Sequence, residues 1–278
     1  MNGSLDPIKE NIYEQELESL KNAFFSNIYH EFITPLNTIL SVIQLLDKKY
    51  NIFEGQSSNF DMSRNINIIH KNNLRMLRLC NNIIDSMKIE SDNIELNIRN
   101  YDIVRLVESI CEDINNYNML NSTKIIFDTN IEEHTLKIDP NKIERVVLNL
   151  ISNAIKFNKD NEDINVDINI TKDYSYIHIK DKGIGISEEK LPYIFDTFSD
   201  IENRLTKISE GIGIGLSLSN NLVKLHNGSI QVKSEINNGS EFIVKIPNNN
   251  SNICLNTLTY EIDKHRLERI KIESSDIY

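Results

Sequence analysis

The sequence predicts an α+β chain. An N-terminal antiparallel helical hairpin pairs with a second copy into a four-helix bundle, and an α/β sandwich follows, its mixed sheet covered by helices on one face. Three observations carry this. Apolar residues recur at steps of three and four from about Ile8 to Ile89. After "IESDN" the period becomes two in several short runs. Helical stretches then alternate with those runs, the pattern of helices packed on a sheet.

Leu17, Leu20, Phe24 and Ile28 form the first helical stripe, and Ile39, Val42 and Leu46 resume it beyond Pro35. The polar, Gly55-containing run "NIFEGQSSNFD" breaks the helix. Ile66, Ile69, Asn73, Met76, Cys80, Ile83 and Met87 then alternate at three and four, the spacing of a heptad seam. A hairpin cannot bury both its faces alone, so pairing with a second copy is expected. "INVDINI", Ile177 with Ile179, Ile230 with Val232 and Ile236, and Phe242 with Val244 and Ile246 read as strands with one buried face. Helices are expected near 104–120, 140–157 and 216–226, the second opened by an Asp139 cap and Pro140. A boundary near residues 91–93 divides the chain into a hairpin at 1–91, a sandwich at 92–247 and an extension at 248–278. The extension carries no motif. Its end, "RIKIESSDIY", alternates weakly, as an added edge strand or a free chain end does.

At 278 residues, with 40% hydrophobic residues, the chain is long and apolar enough for real cores. A formal charge of -11 argues against a nucleic-acid surface, though not against a nucleotide held by a few local donors. Cys80, Cys111 and Cys254 lie far apart, which fits a reducing compartment and no metal or disulfide framework. No apolar run approaches the roughly 20 residues of a membrane span. The expected location is cytoplasmic, with a membrane anchor still possible in a longer protein.

Three pieces of the sandwich belong together. In "NLISNAIKF", Asn149 and Asn153 project from one helix face with Lys156 nearby, opposite an Ile143, Val147, Leu150 and Ala154 stripe. Amide oxygens are hard neutral ligands suited to Mg²⁺, and lysine supplies a point charge for phosphates. In "DKGIGIS", Asp181 at a strand end can accept from adenine's amino group, while Gly183 and Gly185 let the backbone turn close to the base. In "EGIGIGLSLSNNLVKLHNG", Gly211, Gly213 and Gly215 precede a helix whose N-terminus offers N–H groups to phosphates. Taken singly, each has a plainer reading: asparagines on a solvated face, an ordinary turn, a glycine-rich loop. Neither the dinucleotide G-x-G-x-x-G nor a P-loop is present. The intervening "EEKLPYIFDTFSDIENRLTKISE", with Phe195, Phe198, Arg204 and Lys207, looks like a glycine-hinged lid.

Five motifs in order, "HEFITPL", "NLISNAIKF", "DKGIGIS", "PYIFDTF" and "GIGIGLSL", resemble the H, N, G1, F and G2 boxes of sensor histidine kinases. The resemblance spans roughly Leu17 to Ile246. It implies a dimerising hairpin, then a Bergerat-type ATP-binding sandwich shared with Hsp90, gyrase and MutL. It also implies transfer of the γ-phosphoryl of ATP to a histidine and onward to an aspartate of a response regulator receiver domain. On this resemblance ATP and Mg²⁺ are the cofactors. Asn149, Asn153, Lys156, Phe157, Asp181, Gly183, Gly185, Gly211, Gly213, Gly215 and Leu216 line the nucleotide, with Asn149 and Asn153 on the metal.

The same resemblance makes His30 the phosphoacceptor and Glu31 its general base. A neutral imidazole is nucleophilic near neutral pH, and it needs exposure rather than burial. Pro35 removes one helical hydrogen bond and bends the helix beside His30. Thr34, one turn on, is either a plain surface residue or the hydroxyl that orients water for dephosphorylating the regulator. Two other activities fit the same residues: a regulator phosphatase that uses ATP as a conformational ligand, and a nucleotide-binding scaffold without catalysis. The intact His30 and complete nucleotide boxes favour the kinase.

Overall fold

The structure, a computed structural model, describes residues 29, 32–46, 62–91, 93–116, 123–159, 161–196, 214–248 and 266–275. The chain divides into two units, Met1–Met76 with Phe198–Gly213, and Leu77–Thr197 with Ile214–Tyr278. In the first, helix α1 (32–46) packs against the beginning of α2 (Met62–Glu90). Val42 and Leu46, one turn apart, are buried against Ile68 and Ile69. Leu36, Leu40 and Ile43 form a second stripe that stays exposed, as does Ile66 on α2.

The second unit opens with the C-terminal half of α2. Strand β1 (Arg99–Asp102) leads into α3 (Ile103–Asn116), then β2 (Ile125–Thr129) and β3 (Thr135–Ile138). Next come α4 (Pro140–Phe157), β4 (Ile164–Ile170), β5 (Tyr174–Lys180), α5 (Ile214–Leu225), β6 (Ser229–Glu235), β7 (Gly239–Pro247) and α6 (Arg266–Glu273). β1 and β3 form a small antiparallel pair, while the main sheet runs β2-β4-β5-β7-β6. Only the β2–β4 pairing is parallel, so the sheet is mixed.

Register explains the core. Val166 and Ile168 stand opposite Ile179 and Ile177, which in turn face Phe242 and Val244. With side chains alternating across the sheet, all six fall on one face, and each is at most 5% exposed. Ile103, Leu106 and Ile110 of α3, Ile143, Val147 and Leu150 of α4, and Leu218 and Leu222 of α5 are buried as well. The other sheet face carries Tyr174, Tyr176 and His178 in succession, each ring 6.3 Å from the next. This is the expected sandwich, with helices on one face.

Three details differ from expectation. The short strands β1 to β3 carry too little alternation to be read from sequence. Ile236 lies beyond the end of β6 in the turn and is 57% exposed, so it is not a strand residue. Most of the run expected as an edge strand or a free end is helical instead: Arg266–Glu273 is helix α6. Ile270 is fully buried, and Arg266 and Arg269 pair with Glu144 of α4 at 3.2 and 2.6 Å. "IKI" alternates over only three residues, too few to outweigh this helical anchoring.

His226 joins the end of α5 to the start of α4. Its Nδ1 meets Leu222 O at 2.8 Å and its Nε2 meets the Asp139 N–H at 3.0 Å. Nδ1 must therefore donate and Nε2 accept, which fixes a neutral ring. Burial is the main cause that lowers its pKa below the ordinary value. The unfolded chain then takes up a proton that the folded chain refuses. Stability from this site is complete above about pH 6.5 and declines as pH falls toward the depressed folded value, by at most about 1.4 kcal/mol per unit. Urea titrations from pH 7.5 to 5 should show that decline in the wild type. His226→Gln should have the shallower slope, and equal slopes would reject the assignment.

Candidate functional site

The site is built along α4. Asp139 caps the helix, its Oδ1 accepting from the N–H of Asn141 at 3.0 Å and of Lys142 at 3.2 Å, with Pro140 at the first position. Ile143, Val147, Leu150 and Ala154 are buried, as the stripe requires. Asn149, on another face, is only 5% exposed. It meets the first turn of α5: a Cβ added to Gly215 would stand 2.7 Å from Asn149 Oδ1, so glycine permits the approach. Asn149 Nδ2 donates to Ser219 Oγ at 2.9 Å, and Ser219 Oγ donates to Gly215 O at 2.9 Å. Asn149 Oδ1 accepts from Arg78 Nη2 at 3.2 Å. Asn153 and Lys156 are half-buried further along the helix, with Lys156 Nζ 5.4 Å from the Phe157 ring centroid.

At the far end of α4 the turn after β5 is tied down on two sides. Ile184 N–H donates to Phe157 O at 3.1 Å, and Lys182 N–H donates to Asn158 Oδ1 at 3.1 Å. Asp181 N–H donates to Ser240 O at 2.9 Å, joining the turn to β7. Asp181 Oδ1 accepts from Gly183 N–H at 2.8 Å and from Ser240 N–H at 3.1 Å. Both side-chain bonds fall on Oδ1, which leaves Oδ2 to accept from a ligand. Burial raises the Asp181 carboxyl above the usual range, against the pull of the backbone donors of Gly183, Ser240 and Asp181 itself.

Gly185 takes φ +69°, and a Cβ there would stand 1.9 Å from Glu235 O. Gly185→Ala should therefore lose ~3 kcal/mol of stability from left-handed strain plus the clash. Urea titration tests this, and a loss under about 0.5 kcal/mol, the range of unremarkable surface changes, rejects it.

Asn149 thus meets Gly215 midway along α4, and Phe157 meets the Asp181–Gly185 turn at its C-terminal end. Among the described residues no group of three or more His, Cys, Asp and Glu side chains could hold a metal ion, and the one carboxylate on α4, Glu144, is paired with Arg266 and Arg269. Residues 138–250 match the family model described as "Histidine kinase-, DNA gyrase B-, and HSP90-like ATPase", and residues 20–92 match the "His Kinase A (phospho-acceptor) domain". The chain belongs to the histidine kinases.

Among curated relatives of this kinase core, Histidine kinase P4 of Formosa agariphila is 32% identical over 84% of this chain and 17% of its own length. Sensor histidine kinase WalK of Bacillus subtilis is 28% identical over 88% of this chain and 40% of its own. The chain thus spans less than half the length of either. Among solved structures, the histidine kinase ThkA in complex with the response regulator TrrA matches with TM-score 0.60 at 20% identity, over 87% of this chain and 66% of that one. Histidine kinase AdeS of Acinetobacter baumannii matches with TM-score 0.57 at 20% identity, over 80% of this chain and 98% of that one. These likenesses support the fold.

Of the kinase-box residues, Leu216 is half-buried in the first turn of α5 and Thr34 is exposed on α1. His30, Glu31, Gly211 and Gly213 lie outside the described residues, as do Phe198, Arg204 and Lys207 of the expected lid. Phe195 is described, packed edge-on against Phe242 with centroids 6.5 Å apart. Sequence reasoning missed Ser219, Ser240, Arg78 and Glu273. Ser219 had one usable signal, its place one turn after Gly215. The other three are joined to the site only by long-range folding. No helix among the described residues is long and apolar enough to cross a membrane.

Proposed function

We propose that this chain is the catalytic core of an ATP-dependent protein-histidine kinase in a two-component system. It phosphorylates His30 and passes the phosphoryl group to an aspartate of a response regulator receiver domain. The observation that carries this is the presence in one chain of a phospho-acceptor match containing His30 and an ATPase match containing the Asn149–Asp181 constellation. The division of labour is a hairpin over 1–91, a nucleotide domain over 92–247 and the extension over 248–278. The response regulator bound by ThkA supports the choice of partner.

In this reading Asp181 receives the adenine amino group on Oδ2, while Phe157, Gly183 and Gly185 border the base. Asn149 and Asn153 hold Mg²⁺ through their amide oxygens. The fit is chemical: Asn149 Oδ1 already faces a cationic partner. Mg²⁺ supplies charge neutralisation on the phosphates when bound. Lys156 adds a positive charge beside the same helix face, and the Gly211, Gly213, Gly215 and Leu216 segment covers the phosphates. Glu31 takes the proton from His30, whose neutral ring attacks in line, so positioning does most of the work. Exposed Thr34 fits a further role in dephosphorylating the regulator. The exposed Leu36, Leu40, Ile43 and Ile66 supply a face for homodimerisation. The reaction belongs on the cytoplasmic side, where ATP and receiver domains are found.

Incubation with Mg-ATP carrying a labelled γ-phosphate tests the proposal. Label stable to base and labile to acid, as a phosphoimidazole is, supports it. Nucleotide binding with no label on the chain favours a scaffold instead.

A further inference from the structure

Asn149 has a fixed direction. Ser219 has a single hydroxyl proton, donated to Gly215 O, so toward Asn149 it can only accept. The amide therefore turns its NH₂ to Ser219 and presents Oδ1 on the other side. What meets that oxygen is the guanidinium of Arg78, from α2, at 3.2 Å.

Arg78 does not reach Asn149 unaided. Its Nε donates to Glu273 Oε2 at 3.1 Å, and both side chains are under a tenth exposed, at 7% and 9%. Glu273 is the last residue of α6. Its Oε1 lies 3.5 Å from Arg145 Nε, and its backbone O accepts from Ser152 Oγ at 3.0 Å. Arg145 in turn pairs with Asp85 and donates to Asn82 Oδ1 at 2.7 Å, both on α2. The C-terminal helix thus joins α2 to the helix that carries the proposed metal ligands. It lies beyond both family matches, which end at residues 92 and 250.

We propose, resting on the nucleotide reading above, that Arg78 and Mg²⁺ compete for Asn149 Oδ1, and that α6, through Glu273, holds Arg78 there as a latch against nucleotide loading. A guanidinium and a dication on one amide oxygen repel each other strongly in a site this dry, so one must leave before the other binds. Glu273 sets the balance, because its carboxylate holds Arg78 beside Asn149 and is anchored by Arg145. A latch closed nine times in ten weakens apparent Mg-nucleotide affinity about tenfold. The extension then regulates the kinase through its charge, and anything that draws α6 away loads the site.

The test uses the full chain and its Glu273→Gln and Arg78→Gln variants, titrated with a non-hydrolysable ATP analogue in Mg²⁺ and in EDTA. Melting curves first establish that each variant is folded. Both variants should bind the Mg-nucleotide about tenfold more tightly than the wild type, with a smaller gain in EDTA. Folded variants whose Mg-nucleotide affinity equals or falls below the wild type's overturn the latch and leave the nucleotide reading standing. Failure of all three proteins to bind overturns both. Hydrogen exchange on the wild type gives a second arm that needs no variant. Added Mg-nucleotide should speed exchange across Arg266–Glu273, and unchanged or slower exchange there overturns the latch.

Discussion

Replacing Asp181 with asparagine lowers nucleotide affinity about a hundredfold and leaves the fold standing. Two buried backbone donors, Gly183 N–H and Ser240 N–H, already point at Asp181 Oδ1. An asparagine there must keep its oxygen on those donors, because its NH₂ would face N–H groups. The amide nitrogen then occupies the Oδ2 position and confronts the amino group of adenine, donor against donor. An acceptor is lost and a repulsion takes its place, and a charge-assisted hydrogen bond alone is worth about 1.5–3 kcal/mol. At about 1.4 kcal/mol per factor of ten, that accounts for most of the hundredfold. Calorimetric titration with an ATP analogue measures the loss, while sedimentation should find hairpin pairing unchanged. Equal affinity in the variant rejects the adenine contact.

The same residues show what is legible in one sequence. Strands β4 and β5 each bury one face, and β7 keeps Phe242, Val244 and Ile246 on that face although Ile243 between them is buried too, so their period of two was readable without knowledge of their neighbours. Helix α4 announced itself through Asp139, Pro140 and the Ile143–Ala154 stripe, and its bounds are those expected. Strands β1 and β3, four residues each, are held by their pairing rather than by an apolar pattern of their own.

Asn149 marks the boundary of such reading within the site. Sequence placed it on one helix face with Asn153; in the structure it is buried against the first turn of α5, Arg78 and Ser219. Local spacing gives the face of a helix but not what covers it. Glu273 is the extreme case. It lies 121 residues from Ser152, whose hydroxyl it accepts, and its charge meaning comes entirely from Arg78 and Arg145. No short motif encodes such a contact, and the weak alternation nearby read as an edge strand or a free end.

His30→Gln has the largest expected effect of any single change, because it removes the proposed nucleophile itself. Glutamine preserves polarity and helix propensity but has no ring nitrogen with an available lone pair, so folding and nucleotide binding should persist while phosphoryl acceptance ends. His70, His134, His178, His226 and His265 remain in that variant as internal controls for stray labelling. The decisive measurement is γ-phosphoryl incorporation from Mg-ATP into wild type and His30→Gln, both verified to bind nucleotide. Acid-labile label on the wild type and none on the variant is the predicted result. Equal label on both, or none on a nucleotide-bound wild type, contradicts the account.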